Sequence, residues 1–175
     1  RVCETPLFLS RDLTSELIKA SDDIIVQLQQ DEFIKRSEAA IPENLKVPND
    51  FEHPPFFQID FAITKNGEKF WPKLIELQAF PSLYGYQAYL NEVIRKHFDI
   101  PVGFHSYFNG LNKSTYRTLL TKTILGNHDP ENVILLEIEP EKQKTRIDFA
   151  ATEELTGITT VCLSKIKKRG KKLFY

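Results

Sequence analysis

The sequence predicts a mixed chain, α/β or α+β, in which an antiparallel hairpin with helices is followed by a parallel βαβ unit. Three observations carry this. Phe57, Ile59, Phe61 and Ile63 alternate with Gln58, Asp60 and Ala62, the period of a strand with one buried face. Asn66-Gly67 then marks a turn, and Lys73–Ala79 returns as a second strand. Farther on, Val133–Ile138 is a short, almost continuously apolar run of the kind found in buried parallel strands.

In chain order, residues 1–12 read as an extended lead-in. Leu13, Leu17, Ile18, Ile24, Ile25 and Leu28 form a helical stripe over 13–30, with Thr14 as its expected N-cap. Asp31–Ala40 reads as a second, short helix. Pro42, Pro48, Pro54 and Pro55 then punctuate a loop leading to the first strand. After Pro81, helices are expected over Gln87–Phe98 and Ser114–Leu125, the latter ending at Gly126. The run 133–138, a helix over Thr145–Thr156 closed by Gly157, and a strand over Ile158–Leu163 make the βαβ unit, for which a right-handed crossover is expected. The expected domains are 1–130, the helical lead-in with the hairpin and its helices, and 131–175, the βαβ segment.

The polar face of the hairpin carries the chemistry. Gln58 and Asp60 are in phase on one strand, Glu76 and Gln78 on the other. If even positions pair with even, two carboxylates and two amides share one patch. Carboxylates ~5 Å apart repel by roughly 3 kcal/mol at an effective dielectric of 20, but by under about 1 in water. Such a pair is therefore either diluted by solvent or neutralised by a cation. Oxygen-only ligands suit Mg²⁺, which takes one or two carboxylates together with phosphate oxygens. An ordinary hairpin with its polar face in water is the competing account.

Asp60-Phe61, a Gly-containing turn, Leu74-Ile75-Glu76-Leu77-Gln78 and Pro81-Ser82-Leu83-Tyr84 together resemble the metal-binding hairpin of ATP-grasp ligases. The resemblance is to the circularly permuted, glutathionylspermidine synthetase-like branch. Residues 133–175 look like that branch's pre-ATP-grasp domain, a Rossmann-like βαβ segment, so the resemblance covers about 55–175. It implies that Asp60, Glu76 and Gln78 hold Mg²⁺ bridging the phosphates of ATP. Gln78 stands where the branch has Asn, one methylene longer. The implied activity is ATP-dependent ligation of a carboxylate to an amine through an acyl phosphate. The implied partners are a small-molecule or peptide substrate bearing a carboxylate, and an amine acceptor. A non-catalytic binding module on the same scaffold is the alternative. Because the chain contains no Met and stops inside a strand-like run, a longer natural protein is expected, with this portion inactive by itself.

Ligands of open α/β sheets bind beyond the carboxyl ends of the strands, here around Glu137–Arg146. Thr145 and Arg146 open a helix there, where backbone N–H groups and a guanidinium favour an anion, so they are the candidate substrate-carboxylate residues. The competing account pairs Arg146 with Glu139 or Glu141.

Charge and composition narrow the rest. The net charge is −1 with 27 % charged residues, which argues against a nucleic-acid or membrane-surface partner. The basic run Lys165–Lys172 has no interleaved aromatics and reads as a solvated turn. No apolar run of about eighteen residues exists to span a membrane. The two cysteines, Cys3 and Cys162, make no disulfide framework, so a reducing cytoplasm is the expected compartment. Cys162 is expected to be buried in its strand. The four histidines, His53, His97, His105 and His128, have no metal-ligand spacing.

Overall fold

A computed structural model describes residues 5–48, 53–80 and 82–175. Cys3 and Pro81, both invoked above, lie outside the described residues. The chain mixes helices with small two-stranded sheets and divides into two compact units, Arg1–Phe80 and Pro81–Tyr175. The domain boundary expected near residue 130 falls inside the second unit, because the helix after Ser82 packs on the helix of the βαβ segment.

The first unit comprises α1 (Arg11–Leu28), α2 (Asp31–Ala39), β1 (Gln58–Asn66) and β2 (Lys69–Gln78). α1 starts earlier than the apolar stripe implies. Its N-cap is Ser10, not Thr14, because the Ser10 hydroxyl accepts the N–H of Leu13 at 3.2 Å. Leu13, Leu17, Ile24 and Leu28 form its half-buried stripe, and α1 lies against β2. β2 begins at Lys69, four residues before the expected start, and stops before Ala79. The two-residue loop is Gly67-Glu68. Gly67 sits at φ 63°, the first loop position that a type II′ hairpin gives to glycine.

The expected alternation holds only at one end of this hairpin. Gln58 pairs with Gln78, Ile59 with Leu77 and Asp60 with Glu76, but then Phe61 pairs with Leu74. Ile75 is the extra residue of a β-bulge, and the phase of β2 reverses beyond it. Ile75, expected on the apolar face with Leu77, is 64 % exposed as a result. Among its described residues the first unit contains none that is buried.

The second unit holds the core. It consists of α3 (Tyr84–His97), α4 (Lys113–Leu125), β3 (Ile134–Glu137), α5 (Arg146–Thr156), β4 (Thr159–Cys162) and a last hairpin, β5 (Lys167–Arg169) and β6 (Lys172–Phe174). β3 and β4 are parallel, joined through α5, as the βαβ reading expects. Ala88 of α3, Leu120 of α4, Phe149 of α5, and Ile158 and Val161 around β4 are its buried apolar residues. α3 and α5 approach closely at Gly85, where a Cβ would stand 2.6 Å from Thr152 Oγ1. α4 starts in a capping box: Asn112 Oδ1 accepts the N–H of Ser114 and Thr115, and Thr115 Oγ1 accepts the N–H of Asn112.

The start of α3 is capped from a distance. Leu83, its N-cap residue, has a left-handed backbone (φ 63°) and no side chain able to accept a hydrogen bond. The buried Asp148 of α5 does this instead. Its carboxylate accepts the N–H of Leu83 at 2.9 Å and of Tyr86 at 2.8 Å. Two of the donors orphaned at a helix start are thereby satisfied by an anion at the positive end of the dipole. The Tyr116 hydroxyl adds a bond to the Tyr84 carbonyl at 3.2 Å. No helix among the described residues is long and apolar enough to cross a membrane.

Candidate functional site

The register places Asp60 directly opposite Glu76 and Gln58 directly opposite Gln78, so all four share one face of the first hairpin. This is the even-with-even pairing that makes a single patch. Asp60 is half-buried and Glu76 is exposed. Each carboxylate receives an amide from its own strand. Gln58 Nε2 donates to Asp60 Oδ1 at 3.0 Å, and Gln78 Nε2 donates to Glu76 Oε1 at 2.5 Å. Neither carboxylate forms an ion pair with a Lys or Arg among the described residues.

The electrostatics follow from that exposure. With Glu76 in water, the repulsion lies nearer the sub-kilocalorie end of the range than the ~3 kcal/mol end. The hairpin therefore tolerates the pair without a cation. Two carboxylates are nonetheless the number that Mg²⁺ uses alongside phosphate. Gln78 spends its amide nitrogen on Glu76, which leaves its carbonyl oxygen as a hard donor atom beside the pair. No cluster of three His, Cys, Asp or Glu exists among the described residues, so any cation here would rest on two carboxylates and amide oxygens. The bulge begins immediately after Asp60, where an irregularity re-aims the side chains that follow.

Thr145 and Arg146 belong to the second unit. Thr145 is the N-cap residue of α5, but its side chain makes no capping bond, and both residues are exposed. Glu139 is paired with Lys142 at 2.5 Å, and Arg146 forms no ion pair among the described residues. The competing account, Arg146 bound to Glu139 or Glu141, is not what the fold contains. Glu139 itself has a left-handed backbone (φ 46°) at the end of β3, and Gln143 Nε2 donates to the Ile138 carbonyl, which fixes this loop.

Cys162, expected to be buried, is only half-buried at the end of β4. Its Sγ lies 3.1 Å from Ser164 Oγ and accepts the N–H of Glu139 at 3.4 Å. The hydrogen bond with Ser164, followed by that from Glu139, holds its thiol below the ordinary value. Asp148 was invisible to sequence reasoning as a polar residue of consequence. Its partners lie 62 and 65 residues away, and no local pattern marks such a cap.

No family model matches the chain, and neither a curated protein nor a solved structure matches it.

Proposed function

We propose that this chain is part of an ATP-dependent carboxylate–amine ligase, with Asp60 and Glu76 as ligands of Mg²⁺ and Gln78 as a weaker third. The observation that supports the reading is the register that sets Asp60 opposite Glu76 with a glutamine amide on each. The parallel β3–α5–β4 unit is compatible with a Rossmann-like pre-ATP-grasp segment, and the order of hairpin then βαβ matches the resembling branch.

In this reading ATP transfers its γ-phosphoryl group to a substrate carboxylate, releasing ADP. An amine then attacks the acyl carbon, an amide forms and phosphate leaves. Bound at the hairpin, Mg²⁺ would supply charge neutralisation for the phosphoryl oxygens. Asp60 and Glu76 present the anionic oxygens, and the glutamine amides orient them. In this reading Thr145 and Arg146, at the start of α5, take a substrate carboxylate, Arg146 as a fork-shaped donor that forms no ion pair among the described residues. None of these residues serves as a general base.

A binding module without chemistry is the second reading. Gln78 favours it, because its amide already engages Glu76 and its extra methylene displaces the carbonyl relative to Asn. Turnover separates the two. In this reading Asp60→Asn should lower the ATP turnover of the ligase on the order of 100-fold or more. Turnover retained in that variant would remove Asp60 from the scheme.

A further inference from the structure

The last hairpin concentrates positive charge in a way that bulk composition hides. The first unit carries 9 Lys and Arg against 14 Asp and Glu, a net −5, whereas the second carries 14 against 10, a net +4. Six of those cations, Lys165, Lys167, Lys168, Arg169, Lys171 and Lys172, fall on or beside β5 and β6, and no acidic residue follows Glu154. All six are exposed, and none forms an ion pair among the described residues.

The register adds what the sequence lacks. Lys167 stands opposite Phe174 and Arg169 opposite Lys172, so three cations and one aromatic ring share a face. The Arg169 guanidinium lies over the Phe174 ring, 5.5 Å from its centroid. Arg169 and Lys172 are like charges directly opposite each other, an arrangement that costs stability. A ribbon of three residues per strand has little stability of its own to spend on this. An anion laid across the face removes the cost. The end of the ribbon is held by the Tyr175 hydroxyl, which donates to the Glu131 carbonyl at 3.3 Å.

We propose that the β5–β6 hairpin binds single-stranded nucleic acid, with Lys167, Arg169 and Lys172 on its phosphates and Phe174 against a base. Cations in a row beside an exposed ring are the combination that tracks a backbone while stacking a base. A membrane surface fits less well. The tip is Arg169-Gly170-Lys171 and the apolar residues Leu173, Phe174 and Tyr175 lie at the base, so entry by the tip would bury charge and leave the apolar residues in water.

The test is fluorescence anisotropy of the 175-residue chain with a labelled oligothymidylate of about 15 nucleotides, titrated from about 50 to 200 mM salt. Binding is expected at the lowest salt, with a slope of log K against log salt of about −2 to −3.5, as for three to five single-strand phosphates. The variant Lys167→Gln/Arg169→Gln/Lys172→Gln should weaken binding at least tenfold and flatten the slope by about 2. Phe174→Leu should weaken it about fivefold or more without changing the slope. Removing the same charge from the first unit, Lys19→Gln/Lys35→Gln/Lys69→Gln, should leave affinity within about twofold. No binding at the lowest salt would overturn the proposal. So would parental affinity in the hairpin triple variant, an equal loss in the first-unit triple variant, or capture by phosphatidylserine vesicles without oligonucleotide binding.

Discussion

Asp60 and Glu76 face each other across a non-slipping end of an antiparallel ladder, one residue before that ladder loses its phase. Like charges directly opposite destabilise a strand pair, and here a glutamine amide on each carboxylate offsets part of that cost. Without divalent cation, Asp60→Asn should therefore raise the stability of the first unit by a few tenths of a kcal/mol. Millimolar Mg²⁺ should stabilise the parent chain and not the variant. Thermal melts with and without Mg²⁺ read both effects.

The cap on α3 makes a second prediction. Asp148→Ala leaves the N–H groups of Leu83 and Tyr86 without their acceptor and should destabilise the second unit by about 2–4 kcal/mol. Asp148→Asn keeps one acceptor oxygen and should cost less. Urea denaturation ranks the pair.

The approach of α3 to α5 makes a third. A Cβ on Gly85 meets Thr152 Oγ1 at 2.6 Å and the Thr152 backbone nitrogen at 3.0 Å. Gly85→Ala should thus destabilise by about 1–3 kcal/mol, despite the helix propensity it gains. Adding Thr152→Ala should recover part of the loss and not all of it, since the backbone contact stays. The same denaturation curves measure this.

Burial raises the Tyr116 hydroxyl to about 12 from the usual 10, with smaller contributions from Tyr107, Tyr84 and Asp148. Its protonated form is favoured by folding. The stability this contributes is complete below pH 10, where the unfolded chain is also protonated, and is lost as pH rises through about 12. Difference absorbance near 295 nm between the parent and Tyr116→Phe should place this ionisation after that of exposed tyrosines.

Much of this was legible where the chemistry is local. The alternation of Ile59, Asp60 and Phe61 announced β1, Gly67 announced its turn, and the run 133–138 announced a parallel strand. The even-with-even pairing of Asp60 with Glu76 was available as a conditional statement. The bulge was not, because Ile75 reads as one more apolar residue in phase and nothing in its identity reveals that it has no partner. Thr14 looked like a cap because the apolar stripe begins at Leu13, while the actual cap, Ser10, lies one turn earlier among residues that face water. The role of Asp148 and the shared face of Arg169 and Phe174 depend on pairing across space, which composition does not encode.

A divalent cation held on the hairpin face between Asp60 and Glu76 can be read with Mn²⁺ in place of Mg²⁺. Paramagnetic broadening of backbone amide signals would be followed as Mn²⁺ is added to the isotope-labelled chain. Signals of Gln58–Phe61 and Glu76–Gln78 are expected to broaden first, and Asp60→Asn/Glu76→Gln to abolish this. Broadening that starts elsewhere, or that persists at the hairpin in the double variant, would contradict it.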